Sequence, residues 1–350
     1  MFAPKYSISD KILNSLTEIA EIKSLVGRSK LLPEREVFLR RAAVIKMAHT
    51  STSIEGNALK EFQVAQVAEG KNINAAEDQI KEVKNYLTAL RFIDKLSAEK
   101  KDFDVEDILN LHKIVVDGLI DKEKIGRFRK GPVYVVNILP DNKEELAYTP
   151  PEAASVPVHM RELVFWLHGK KEIHPIIRAG LFHYQFETIH PFTDGNGRCG
   201  RLLSLLHLYQ SGWDFKKVLI LEDYYNQNRK AYYEALQTGE TFAKRQKVDL
   251  SNWLGYYIEG FLNETRKVKD QILSLSAVGD LKTSRNVLDK DELKIIDFVV
   301  SLGRITSADV VEILGIPKRT AQDKLKRLEE IKALEKRGAG PATDYVIPEK

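Results

Sequence analysis

The sequence predicts a mainly α protein with one β-hairpin and a small separate domain of short helices and a second hairpin at its C-terminal end. Three observations carry this. Apolar residues recur at three- and four-residue spacing along most of the chain. One β-prone stretch interrupts them: "GRFRKGPVYVVN" and "ELAYTPP" flank the turn-rich "ILPDNKE", the pattern of a hairpin. From Leu288 onward the rhythm changes to three short helices and a second hairpin.

Taken in order, residues 8 to 95 read as helical throughout. "SDKILNSLTEIAEIKSLVGR" opens with Ser/Asp capping residues, and "PEREVFLRRAAVIKMAHTSTSIEGN" has Pro33 near a first turn and Gly56-Asn57 as a C-cap. "AAEDQIKEVKNYLTALRFIDKL" is amphipathic, and "DFDVEDILNLHKIVVDGL" has an acidic first turn. After the hairpin come "ASVPVHMRELVFWLHG", "HPIIRAGLFHYQFETI", "RLLSLLHLYQSG", "NQNRKAYYEALQTGE" and "LSNWLGYYIEGFLNETRKVKDQILSL", all at helical spacing. "AVGDLKTSRN" reads as a linker.

The bulk numbers exclude several classes. The chain has 350 residues, 43% of them hydrophobic and 30% charged, which suits two or three soluble domains. A net charge of +4 demands no nucleic-acid partner. The lone cysteine, Cys199, permits neither an intrachain disulfide nor a thiolate zinc site. The N-terminal stretch lacks a signal-peptide pattern, and no window approaches ~18 uninterrupted apolar residues. A cytoplasmic protein without a membrane span is expected.

"HPFTDGNGRCGR", His190 to Arg201, stands apart. Pro191 must end the helix before it, and a new helix can begin near Gly197. The segment is then a loop feeding a helix N-terminus, where unpaired N–H groups and a partial positive charge suit phosphate. Gly195 and Gly197 let backbone approach an anion closely. Arg198 and Arg201, three apart, share a helix face, and each offers a guanidinium fork for phosphate oxygens. Asp194 could hold a divalent cation, usually magnesium at phosphate sites. His190 titrates near neutrality and suits a general base. "DGNG" alone would make a turn and nothing more. A calcium loop is excluded, since counting from Asp194 puts Arg198 fifth and Leu205 twelfth. No Walker loop occurs.

The whole stretch resembles the HPFx[D/E]GNGRxxR signature of the Fic family, matching at every defined position. "GRFRKGPVYVVN" is similar to that family's flap, "NRKAYYEAL" to its adenine-side helix, and the likeness runs from about residue 35 to 260. The resemblance implies a Fic-type helical core and protein adenylyltransferase activity: AMP moves from ATP to a Ser, Thr or Tyr hydroxyl, and pyrophosphate leaves. It implies roles for residues. His190 would take the hydroxyl proton, and Asp194 would carry Mg²⁺ (or Mn²⁺) on the α- and β-phosphates. Gly195, Asn196 and Gly197 would form the anion nest, with Arg198 and Arg201 on the outer phosphates. Tyr232 and Tyr233 would flank base or ribose; an aromatic pair on a helix surface is the alternative. Val133, Tyr134, Val135 and Val136 would pair with an extended target segment by β-addition. One family branch carries Lys at the position of Gly197 and acts as a kinase; glycine here implies AMP transfer.

"STSIEGN", Ser51 to Asn57, fits the family's inhibitory pattern [S/T]xxxE[G/N]. Ser51 and Glu55, four apart, share a helix face, with Gly56 closing it. The resemblance implies that Glu55 takes Arg201 from the γ-phosphate. A helix end with a solvent-facing Glu is the plain alternative, and removal of AMP by water activated at Glu55 is a third reading.

The tail "TSADVVEILGIPKRTAQDKLKRLEEIKALEKRGAGPATDYVI" resembles a winged helix-turn-helix, with residues 317–330 as recognition helix. Thr306 or Ser307 caps one helix and Gly315 makes the turn. Lys318, Arg319, Lys324, Lys326 and Arg327 could meet DNA phosphates. Against that, residues 290–350 hold 12 Lys/Arg and 11 Asp/Glu, a net of +1, which favours protein docking or a homodimer. The expected division is 1–100 (helical region with the inhibitory segment), 101–245 (core), 246–287 (connecting helix and linker) and 288–350 (winged helix). The runner-up function is a DNA-binding regulator whose core only senses nucleotide.

Overall fold

The computed structural model describes residues 2–29, 31, 33–99, 101–138, 144–281, 288–302, 304–338 and 343–348. In chain order the helices are α1 (Asp10–Arg28), α2 (Pro33–Ile54), α3 (Glu61–Ala68), α4 (Glu77–Ala98) and α5 (Val105–Val115). The hairpin strands β1 (Val135–Ile138) and β2 (Glu144–Tyr148) follow. Next come α6 (Val156–Gly169), α7 (Pro175–Ile189), α8 (Asn196–Gln210), α9 (Leu221–Gln227), α10 (Arg229–Leu236), α11 (Phe242–Arg245) and α12 (Ser251–Leu281). The chain closes with α13 (Lys290–Leu302), α14 (Ser307–Leu314), α15 (Lys318–Glu330), β3 (Glu335–Arg337) and β4 (Asp344–Val346). It divides into two compact units, residues 1–23 with 44–265, and residues 24–43 with 266–350.

In the first unit α7 is the axle. Nearly every residue from Ile176 to Ile189 is buried, as expected of a helix packed on all sides. α8, α6 and α11 pack on it, and α8 also meets α4 and α5. Gly180 lets α12 approach closely: the indole N–H of Trp253 donates to the Gly180 carbonyl at 2.8 Å, and the ring of Tyr257 lies over the same residue. Asp104 caps α5 by accepting from the amides of Glu106 and Asp107, and Asp107 returns a bond to the Asp104 amide at 3.1 Å.

The hairpin is shorter than its β-prone run. β1 starts only at Val135, three residues beyond Pro132, which has no N–H to give a ladder. Ile138, expected in the turn, is its last strand residue, and the turn itself, 139–143, lies outside the described residues. The strands are antiparallel, with Val136 opposite Leu146 and a bulge between Val135 and Val136.

Other boundaries also shift. The helical reading of 8 to 95 is divided: α1 ends at Arg28, α2 begins at Pro33, and the chain leaves the helix at 55–60 and 69–76, where Gly56 and Gly70 take positive φ. "NQNRKAYYEALQTGE" is no single helix: Asn228 leaves helical geometry and caps α10 by accepting from the Ala231 amide at 3.0 Å. α12 continues through Leu281, so the linker begins later than its composition implies, and 282–287 lie outside the described residues.

In the second unit α14 ends at Gly315 (φ +65°) and begins at the Thr306–Asp309 capping box; α15 follows Pro317. Ala321, Leu325 and Leu328 of α15 are buried, as are Val310, Ile295 and Ile296. β3 and β4 pair antiparallel, and Ile305 bridges Tyr345. Residues 339–341 of the expected hairpin tip "GAGP", and the expected helix end at Gly303, lie outside the described residues. Two of the cations expected for DNA are engaged at home: Lys324 with Asp289 at 2.8 Å and Arg327 with Glu292 at 2.8 Å. Among the described residues, no helix is long and apolar enough to cross a membrane.

A methyl group at Gly180 would sit 2.7 Å from Cδ1 of the fully buried Tyr257. Gly180→Ala is expected to destabilise the first unit by about 1–3 kcal/mol. A urea midpoint equal to wild type would contradict this close approach of α7 and α12.

Candidate active site

α7 stops at His190, which takes a left-handed conformation (φ 49°, ψ 63°) ahead of Pro191. That geometry costs a non-glycine residue roughly 1–2 kcal/mol, so neighbours must hold it. Arg129 does so: its backbone N–H donates to Pro191 O at 3.0 Å, its Nε to His190 O at 2.9 Å, and its Nη2 to Pro151 O.

The rest of the loop is fixed in the same way. Asn196 closes it by accepting from the Phe192 amide and donating to the Phe192 carbonyl, both at 2.9 Å. His112 lies face to face with Phe192, ring centroids 3.8 Å apart. The Gly126 amide donates to His112 Nδ1, so Nε2 must carry the proton and donate to the Asp194 carbonyl at 3.1 Å. Gly195 (φ +80°) caps α8, and a Cβ there would lie 2.7 Å from Val116 Cγ1. His190 and Asp194 are therefore presented on a loop clamped by Arg129, Asn196 and His112.

Both motif arginines are buried, and both are already paired. Arg198 binds Asp194 (Nη2–Oδ1 2.8 Å) and Glu82 of α4 (Nη1–Oε1 2.8 Å). Asp194 Oδ1 also accepts from the Gly195 amide. Arg201 donates Nε to Ser51 Oγ at 2.8 Å, and Nη2 to the Ser51 carbonyl at 3.0 Å and to Glu55 Oε1 at 2.8 Å. Glu55 lies against Gly197, where any Cβ would overlap its carboxylate. Gly56 turns the chain away with φ +99°. Two further contacts pin this end of α2: Arg229 Nη2 to Ser53 Oγ at 2.8 Å and Lys46 to Asp223 at 3.0 Å.

Burial sets the protonation states. Desolvation pushes the imidazole of His190 down to about 4, against an opposing hydrogen bond to the Glu187 backbone. His190 is then neutral at pH 7, with 23% of its side chain open to solvent. His112 is likewise held near 4 by burial and His183 near 3. Glu187, its side chain only 12% exposed and its Oε1 unpartnered, is pushed up to about 7 by desolvation.

Residues 102–208 match the Fic/DOC family. The chain carries a Fic domain. Its curated relatives include the protein adenylyltransferase Fic of Aedes aegypti, 32% identical over 211 residues, covering 57% of this chain and 38% of that protein. The protein adenylyltransferase Fic of Drosophila virilis is 30% identical over 236 residues, covering 65% and 42%. The chain thus spans about two fifths of the relatives it matches. A Fic family protein from Desulfovibrio desulfuricans G20 superposes over 100% of this chain and 99% of its own, with TM-score 0.63 and 27% identity. Fic-1 (aa134–508) from C. elegans gives TM-score 0.59 at 25% identity, over 78% and 73%.

Within the Fic domain and its surroundings, the expected residues divide. His190, Asp194, Gly195, Asn196, Gly197, Arg198 and Arg201 lie on one loop and helix start, and Ser51 and Glu55 converge on it. Tyr233 is 48% exposed, whereas Tyr232 is buried, stacked on Tyr225 and hydrogen-bonded through its hydroxyl to His183 Nε2 at 2.8 Å. On the flap, Tyr134 and Val136 are exposed, and Val133 and Val135 half-buried. Sequence reading missed Arg129, His112, Glu82 and Glu187. They act through backbone carbonyls or across helices, and no local spacing marks them. Among the described residues no three His, Cys, Asp or Glu side chains cluster as a metal cage. A single half-exposed carboxylate, Asp194, suits a Mg²⁺ ion that arrives mostly ligated by phosphate and water.

The buried histidines make stability pH-dependent. The unfolded chain protonates His112, His190 and His183 as pH falls through about 6.5, while the folded chain resists until about 4 or 3. Their contribution is complete above pH 6.5 and lost below it, each by up to about 1.4 kcal/mol per pH unit. Glu187 works in the opposite sense, holding folded a proton that the unfolded chain releases between 4.5 and about 7. All eight histidines are lowered by burial, His207 to about 3 among them, against the raised carboxyls Glu61, Glu82, Glu187 and Glu222, so the urea midpoint is expected to fall between pH 7 and 5. A flat midpoint would contradict the buried neutral imidazoles.

Proposed function

We propose that this chain is a self-inhibited protein adenylyltransferase. The observation that carries the reading is the meeting of a neutral, solvent-reaching His190 with two guanidiniums at the start of α8. His190 would take the proton of a target hydroxyl, whose oxygen then attacks the α-phosphorus of ATP. A new O–P bond forms, the α–β bridging P–O bond breaks, and pyrophosphate leaves. The work is mostly positioning and charge neutralisation. Gly195 and Gly197 leave room for phosphate at the helix terminus, and Arg198 and Arg201 neutralise it once freed. Asp194 would hold Mg²⁺, which when bound supplies positive charge to the phosphates. Tyr233, exposed next to the buried Tyr232, is the aromatic free to face the nucleotide base.

Inhibition is read from Arg201. Its guanidinium is spent on Ser51 and Glu55, so a γ-phosphate must displace Glu55 to be gripped. The flap edge, Val133 to Val136, would register an extended segment of the target protein. The tail is read as a winged helix-turn-helix that docks protein, a second copy of the chain included. Favouring this over DNA is the engagement of Lys324 and Arg327, two of the five cations on α15, by Asp289 and Glu292.

With Mg²⁺ and ATP well below saturation of the resting chain, Glu55→Gly is expected to add AMP to itself or to a supplied target, read by intact mass, while wild type stays near background. Adding His190→Ala should cut transfer about 10²–10⁴-fold while sparing ATP binding. Equal transfer by wild type and Glu55→Gly would sink the inhibitory role. Undiminished transfer without His190 would sink the base.

A further inference from the structure

The segment Ser51–Asn57 reaches both motif arginines. Ser51 and Glu55 hold Arg201 directly. Asn57, two residues further on, reaches Arg198 through one intermediary. Its amide Nδ2 donates to Glu82 Oε2 at 2.8 Å and to the Gln79 carbonyl at 3.0 Å, and its Oδ1 accepts from the Leu59 amide at 3.0 Å. Two pure acceptors on one side and a donor on the other leave the amide one orientation. Glu82 spends its other oxygen, Oε1, on Arg198 Nη1 at 2.8 Å. Arg198 is 4% exposed, its Nη2 goes to Asp194, and its Nε is buried without a partner.

We propose that Glu82 is a second masking carboxylate, withholding Arg198 from phosphate as Glu55 withholds Arg201, and that Asn57 ties the two so that both arginines are released together. The inference rests on reading the site as one for ATP. Around the two guanidiniums stand three bound carboxylates, Glu55, Glu82 and Asp194, so no surplus positive charge awaits a polyphosphate. Phosphate taking Arg198 while Glu82 stayed would set like charges side by side, poorly screened because Glu82 is only 14% exposed. Glu82 must swing away, and its bond to Asn57 ties that swing to the chain segment that bears Glu55.

The test is calorimetric binding of ATP with Mg²⁺ to the full chain, as wild type, Glu82→Gln, Asn57→Ala, Glu55→Gly and Glu55→Gly/Glu82→Gln. Glutamine keeps the shape of Glu82 and removes the negative charge that faces Arg198. Glu82→Gln is expected to tighten ATP about tenfold, the size of one charge-assisted hydrogen bond, and Asn57→Ala to tighten it less. A gain in affinity is a result that mere structural damage does not give. The double variant should gain less than the two single changes combined, since either one loosens the shared segment. Should Glu82→Gln fail to fold by its thermal transition, Glu82→Asp, too short to span Asn57 and Arg198, carries the same expectation. Weaker or unchanged ATP binding in Glu82→Gln, with AMP transfer present in Glu55→Gly, would overturn the mask and leave the transferase reading standing. Strictly additive gains would overturn the tie through Asn57. No ATP binding by any variant would overturn both readings.

Discussion

A guanidinium buried to 2% side-chain exposure needs acceptors at once, and Arg201 dictates much of the site by needing them. Ser51 and Glu55 answer that need, which fixes where α2 ends and why Gly197 carries no side chain. Removing one partner of such a pair typically costs about 3–5 kcal/mol. The same residues that would grip phosphate therefore help hold the resting fold together. In the proposed function, inhibition and stability share one contact, so activation would require that something replace the acceptors that leave. A triphosphate is chemically suited to do so, since its oxygens accept the same forked bonds as a carboxylate.

The loop beside Arg201 holds a different kind of tension. His190 is kept in a left-handed backbone by Arg129, and Asp194 is positioned through its carbonyl by a neutral His112. Neither clamp touches the side chains that would do the chemistry. This separation lets the imidazole of His190 and the carboxylate of Asp194 stay partly open to solvent while their backbone is rigid. Preorganisation of this sort is what phosphoryl-type transfer demands of a protein.

The candidate site was legible in the sequence where its parts are contiguous. His190 to Arg201 reads as loop, helix start and paired guanidiniums because proline and glycine punctuate it at fixed points. Ser51 and Glu55 were legible through the resemblance of "STSIEGN" to the family's inhibitory pattern, with which their four-residue spacing agrees. What stayed hidden acts across the fold: Arg129 and His112 bond to carbonyls, which any residue supplies, and Glu82 looks like one more charge on an amphipathic helix. Tyr232 reads as half of an exposed pair, yet packing turns it inward onto His183. The helix break at Asn228 was missed because asparagine passes for a polar helix face until its side chain is seen to cap the next turn. Helix periodicity found the architecture, and helix ends were the weak point, since capping is decided by one residue at a time.

The most direct test of the central claim, that phosphate and Glu55 compete for Arg201, is amide hydrogen exchange at Glu55, Gly56 and Asn57. Their N–H groups bond to the carbonyls of Thr52 and Ser53 in the resting chain. Saturating ATP with Mg²⁺ is predicted to speed exchange at these three amides while that of the α7 core is unchanged. Bound ATP with exchange at these amides slowed or unaltered would show that Glu55 stays in place, and would contradict the account.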